Sequence, residues 1–135
     1  MELDEQSVKS LINKAALAKE NAYCPYSRFR VGAALLTDNG NVYLGSNVEN
    51  ASLGATICAE RSAIVAAVSN GERKFKAIAI AGDKDFCYPC GICRQFISEF
   101  GEDIEIISVN GDGDYERNLL SDIFSHMFKS YDGKY

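Results

Sequence analysis

Near the start of the chain, Val8, Leu11, Ile12, Ala15 and Ala16 recur at helical spacing and predict an amphipathic helix from about Asp4 to Asn21. Tyr23-Cys24-Pro25-Tyr26-Ser27 breaks that pattern. Arg30 to Leu36 then reads as a strand, Asp38-Asn39-Gly40-Asn41 as a turn, and Val42 to Ser46 as a second strand, together an antiparallel hairpin. Ala59 to Ser69 is apolar on most faces, as a buried helix is, and Asn70-Gly71 ends it. The short apolar run Ala77 to Ala81 suits a central strand buried on both sides. Gly91 to Phe100 reads as a helix stopped at Gly101, Ile104 to Val109 as a strand, and Leu119 to Lys129 as a last helix. Helices alternate with strands after the hairpin. The expected fold is therefore α/β, a three-layer α-β-α sandwich around a mixed, roughly five-stranded sheet.

Composition narrows the class of function. The 135 residues contain no repeat or linker, so one domain spanning 1–135 is expected. Apolar stretches such as Ala63 to Val68 are too short to cross a bilayer, and no membrane association is expected. Met1-Glu2-Leu3-Asp4-Glu5 carries neither a basic region nor an apolar core of a secretory signal, so a cytoplasmic location is expected. The net charge is −5 and the 14 basic residues are scattered. Nucleic-acid partners call for clustered Lys and Arg to neutralise phosphates. A small, weakly charged substrate fits this balance better.

Five cysteines, an odd number, are poor material for a disulfide framework in a chain without a visible signal peptide. Cys90-Gly91-Ile92-Cys93 opens a predicted helix, whose positive end favours thiolates, and its spacing puts both sulfurs on one face. That motif alone fits a redox pair as well as a metal site. Cys58-Ala59-Glu60 opens another predicted helix and supplies a third thiol with a carboxylate two residues away. Three protein ligands leave a zinc ion one position for water, and a nearby non-ligand carboxylate can take that water's proton. The pattern of zinc deaminases, His or Cys-x-Glu followed by Pro-Cys-x-x-Cys, is matched at every position by Cys58, Glu60, Pro89, Cys90 and Cys93. The competing reading is a structural zinc site closed by Cys87 as fourth ligand, with Glu60 a solvated helix residue.

Four ordered blocks carry a closer resemblance. They are Tyr23 to Ala34, Asn47-Val48-Glu49-Asn50-Ala51-Ser52, Thr56-Ile57-Cys58-Ala59-Glu60-Arg61 and Pro89-Cys90-Gly91-Ile92-Cys93-Arg94-Gln95. On them the chain resembles the small homotetrameric cytidine deaminases of the three-cysteine type, across nearly its whole length. The resemblance implies a Zn²⁺ cofactor held by Cys58, Cys90 and Cys93, with Glu60 as catalytic acid and base. It further implies Phe29 stacked on the pyrimidine, Asn47 and Glu49 on the ribose hydroxyls, and the Ala59 N–H on the pyrimidine carbonyl. Arg61 would offset the excess negative charge of three thiolates around one zinc, with Gln95 assisting. The implied reaction is hydrolysis of cytidine and deoxycytidine to uridine and deoxyuridine plus ammonia, in pyrimidine salvage. Implied partners are the nucleoside and three further copies of the chain, with Phe124 reaching a neighbour's site.

The chain departs from the family pattern at two places. Leu53 stands where a tyrosine is usual at a subunit contact, and Ser121 replaces the proline of Leu-Leu-Pro-x-x-Phe. His126 and Cys24 are expected to stay outside the metal site. Two rivals share the zinc blocks: a deaminase of a related aminopyrimidine such as blasticidin S, and a non-enzymatic zinc module that mediates assembly.

Overall fold

The computed structural model describes residues 3–129. Helix α1 (Glu5–Lys19) begins where the Asp4 carboxylate accepts the Ser7 N–H at 2.8 Å, which satisfies one of the donors a helix start leaves free. Strands β1 (Val31–Thr37) and β2 (Val42–Ser46) form the expected hairpin, and α2 (Ala59–Ser69) follows a short helical turn at Leu53–Ala55. Then come β3 (Phe75–Gly82), α3 (Gly91–Ser98), β4 (Glu105–Val109), β5 (Tyr115–Leu119) and the four-residue α4 (Leu120–Ile123). The five strands lie in the order β2-β1-β3-β4-β5. Only β3 and β4 run parallel, joined by the crossover through α3.

Strand β3 separates two core layers by size. Ile78 and Ile80 face α2 and α3, packing with Leu35, Ile64, Ile97 and Ile106. Ala77, Ala79 and Ala81 face α1, under Val8, Leu11, Ile12 and Ala15. Small residues on one face let α1 approach closely, while isoleucines fill the wider gap on the other. Two glycines mark direct backbone contact. A Cβ on Gly32 would meet the Ala15 carbonyl at 2.1 Å, and one on Gly45 would meet the Ala59 carbonyl at 2.3 Å. Gly45 matters for function, because the bare β2 backbone is what seats the first turn of α2. Any side chain there would lift Cys58 and Glu60 away from the sheet.

One expected element is corrected. The helix anticipated from Leu119 to Lys129 is only α4, and the residues before it form β5, an edge strand paired antiparallel with β4. Tyr115-Glu116-Arg117-Asn118-Leu119 has no clean apolar alternation. It is held instead by the ladder and by Arg117, which pairs diagonally with Glu105 on β4 and donates to the Leu3 carbonyl.

Candidate functional site

The site lies where α2 and α3 begin. The segment ahead of α2 is tied down by paired bridges, Tyr23 with Val48 and Val48 with Ile57, so Cys58 arrives at the N-cap with its side chain free of any capping bond. Cys90 occupies the same position on α3, and its sulfur too makes no cap. Arg94 fastens that helix start by donating to the Pro89 carbonyl and the Ile123 carbonyl, each at 2.8 Å. Two helix N-termini thus converge, and the sulfurs of Cys58 and Cys90 stand 3.9 Å apart. Cys93, one turn into α3 and fully buried, completes a trio whose sulfurs all lie within 4.8 Å of one another. Among the described residues no other His, Cys, Asp and Glu side chains gather this way.

The trio suits zinc. Tetrahedral bonds of about 2.3 Å place sulfurs roughly 3.8 Å apart, close to the spacing of Cys58 and Cys90. The Cys58 thiol is pulled down to about 5, chiefly by the hydrogen bond from Cys93 and then by Arg61. Arg61 reaches the Cys58 sulfur at 3.4 Å and the Thr56 carbonyl at 3.3 Å through one terminal nitrogen. Its buried Nε has no hydrogen-bond partner among the described residues. Cys87 stands outside the trio. Burial pushes its thiol up to about 12, so it stays protonated and apolar.

A cleft of about 170 Å³ opens on Cys58 and Cys90, and Asn47, Ala59, Glu60 and Cys87 are among its other lining residues. Glu60 is only 4% exposed, and burial raises its carboxyl to about 7, the region where a group can both take and release a proton. Ala59, in the first turn of α2, has a backbone N–H without a helical acceptor. Phe29 and Glu49 are not among the residues that line this cleft. The tip of the Phe29 ring lies 3.1 Å from where a Gly82 Cβ would be, beside Cys87.

Asn47 and Glu49 are both partly engaged. Asn47 accepts the Val31 N–H and donates to the Phe29 carbonyl, each at 2.9 Å. Glu49 accepts the N–H groups of Tyr26 and Ser27 on Oε1 and the Ser27 hydroxyl on Oε2. Counting capacity, Asn47 keeps one free N–H and Glu49 one free lone pair on Oε2. Gln95 donates to the Phe128 carbonyl at 2.7 Å and makes no bond to a sulfur in this arrangement. Phe124 packs on its own chain's core, against the α2–α3 layer. Val31, Thr56, Cys87 and Tyr88 line the cleft without having been singled out as its walls in the sequence. The available signals were the adjacency of Cys87 and Tyr88 to Pro89-Cys90 and the place of Val31 and Thr56 within the family blocks.

A cluster of charges ties the end of β3 to the segment before β1 and to α1. Asp83, just past β3, bonds Arg30 Nε and a terminal Arg30 nitrogen at 3.1 Å each, and pairs with Lys19 at 3.1 Å. Arg30 first and Lys19 after it hold the Asp83 carboxyl at about 2, below an unfolded value near 3.9. A depressed carboxylate pKa stabilises the fold above the unfolded value and loses that contribution as pH falls toward the folded one. Thermal melts between pH 5 and 2 should therefore show Asp83→Asn less stable than wild type at pH 5, with the gap closing toward pH 2. A gap that stays constant across that range would remove Asp83 as an acid-sensitive brace.

Comparison with known proteins agrees with this geometry. Residues 5–109 match the family model described as the cytidine and deoxycytidylate deaminase zinc-binding region. A probable cytidine deaminase of Dictyostelium discoideum is 44% identical over 132 residues, covering 96% of this chain and 89% of its own. The cytidine deaminase of Sporosarcina psychrophila is 42% identical, with 95% and 96% covered. Among solved structures, cytidine deaminase from Burkholderia pseudomallei superposes with a TM-score of 0.87 at 42% identity, covering 93% of this chain and all of that one. The Mycobacterium tuberculosis enzyme gives 0.83 at 36% identity, with 96% and 100% covered.

Proposed function

The chain belongs to the zinc-binding cytidine and deoxycytidylate deaminase family, and from that premise we propose how its residues divide the work of a cytidine deaminase. The reaction is hydrolysis of cytidine or deoxycytidine to uridine or deoxyuridine and ammonia. Cys58, Cys90 and Cys93 hold the ion. When bound, zinc acidifies a water and so supplies the nucleophile for C4 of the ring. The observation that carries the reading is a buried, neutral-range carboxyl, Glu60, lining the same cleft as Cys58 and Cys90.

Glu60 takes a proton from the water and gives it to ring N3, then moves the second proton to the departing amine. Both water protons and its oxygen are thereby accounted for in ammonia and uridine. The Ala59 N–H anchors the pyrimidine carbonyl and Phe29 lies against the ring face. Asn47 offers its free N–H and Glu49 its free lone pair to the ribose hydroxyls. Arg61, on α2, offsets the net negative charge of three thiolates around a divalent ion, with Gln95 assisting from α3.

The test is the fall in cytidine absorbance on mixing with the protein, with and without a zinc-stripping chelator, beside deoxycytidine and blasticidin S. Turnover of cytidine that the chelator abolishes is expected. Turnover of blasticidin S alone would move the substrate reading to that class, and no ammonia from any of them would leave only an assembly module.

Residues 1–135 act as one catalytic domain in this reading, in the cytoplasm, without nucleic acid or membrane. Among the described residues no helix is long and apolar enough to cross a bilayer. A homotetramer is supported by Leu17, Leu44 and Val48, exposed side chains that line one groove beside edge strand β2, and by the exposed Leu53. Phe124 would contribute to a neighbour's site in such an assembly. Light scattering should give about 59 kDa, four times the chain's 14.8 kDa. A mass near that of one chain would remove the tetramer and the Phe124 contribution together.

A further inference from the structure

The loop that presents Phe29 is built on Glu49. Tyr26 N–H and Ser27 N–H both donate to Oε1, at 3.0 and 3.1 Å, while the Ser27 hydroxyl donates to Oε2 at 2.5 Å. That same hydroxyl accepts the Phe29 N–H at 3.0 Å. Arg28, between them, sits at φ +61°, a left-handed conformation costly for a side chain of its size. Such a residue persists only where its surroundings over-determine it. The Arg28 N–H is taken by the Cys24 carbonyl at 2.9 Å, and beyond it the Phe29 carbonyl is held by Asn47. An unbroken chain of hydrogen bonds therefore runs from Glu49 through Ser27 to Phe29 and on to Asn47.

We propose that Ser27 is a positioning residue that couples the sugar-binding carboxylate to the ring-stacking Phe29. This rests on the reading of Glu49 as a ribose acceptor. Ser27 spends its one proton on Oε2, which fixes the carboxylate's rotation and leaves the remaining lone pair aimed one way. Its oxygen meanwhile pins the backbone of the residue that seats the base. Alanine at 27 releases both ends at once: Oε2 loses its donor and Phe29 N–H loses its acceptor. Threonine keeps the hydroxyl, and the exposed position leaves room for its methyl.

Steady-state kinetics of zinc-loaded Ser27→Ala and Ser27→Thr, with cytidine and with 2′,3′-dideoxycytidine, separate coupling from mere loop stability. For Ser27→Ala, KM for cytidine should rise about tenfold, with kcat within roughly threefold, as expected for loss of a charge-assisted bond that orients rather than reacts. The rise for the dideoxy substrate should be several-fold smaller, because it lacks the 2′ and 3′ hydroxyls that Glu49 is read to hold. Ser27→Thr should restore the wild-type KM. A cytidine KM within twofold of wild type in Ser27→Ala, or equal losses for both substrates, overturns the coupling while leaving Glu49 on the ribose. If the wild-type protein itself handles both substrates with the same KM, the ribose reading fails and this inference falls with it. Should Ser27→Ala not fold, Ser27→Cys gives the same comparison with a weaker donor of similar size, and threonine-like behaviour from it also counts against the proposal.

Discussion

Glu60→Gln is expected to lower kcat by about three to four orders of magnitude, the upper range for loss of a positioned acid and base. Zinc should remain at one ion per chain. Glutamine has nearly the same shape, so the buried first turn of α2 keeps its packing against Ala63 and the sheet. It can neither collect a proton from water nor deliver one to N3. Stability should hold or improve, since burial raises the Glu60 carboxyl to about 7 and so already penalises its charged form. The checks are single-turnover assays on cytidine, metal analysis and a thermal melt on one preparation. Wild-type turnover in a zinc-loaded, folded Glu60→Gln protein would transfer the acid–base role elsewhere. Parallel loss of zinc and activity would make Glu60 part of the metal's support instead.

The elements that frame the site were legible because each has a strong local cause. The helix Ala59–Ser69 was anticipated with the bounds the structure has, since its apolar faces and the Asn70-Gly71 stop point the same way. Strand β3 was legible as a central strand because an apolar run without polar alternation suits a strand covered on both faces. What failed to show was long-range. Strand β5 exists because β4 needs a partner and Arg117 finds Glu105, neither of which leaves a periodic mark. The close seat of α2 on Gly45 is likewise invisible in sequence, where a strand glycine reads only as a weak spot.

The candidate site divides in the same way. Cys58, Cys90 and Cys93 stood out as candidate ligands by their spacing, and the fold brings their sulfurs within 4.8 Å of one another. Asn47 and Glu49 carried a resemblance but no hint that they hold the loop that presents Phe29. That second duty depends on where Val31 and Ser27 come to rest, which only the folded chain decides. Cys87 was open to two uses in sequence, fourth ligand or packed thiol. In the fold it is not part of the sulfur trio and lines the wall of the cleft.

Cys93→Ala should abolish stoichiometric zinc and leave less than about one per cent of wild-type turnover, while Cys87→Ala should retain one zinc per chain. The contrast follows from position. Cys93 is fully buried and within 4.8 Å of both other sulfurs, so alanine there removes a donor that solvent cannot replace. Cys90 and Cys58 would be left as a two-sulfur site, too few to hold the ion through a gel filtration step. The wild-type protein treated with chelator should behave like Cys93→Ala and recover when zinc is returned, whereas the variant should not. Metal analysis on all three, with cytidine assays alongside, decides the ligand set. Zinc retained by Cys93→Ala but lost from Cys87→Ala would exchange their roles. Zinc lost from both would mean a site closed by four cysteines. That outcome would remove the open position on which the hydrolysis depends, because a fully protein-capped ion has no place to acidify a water beside Glu60.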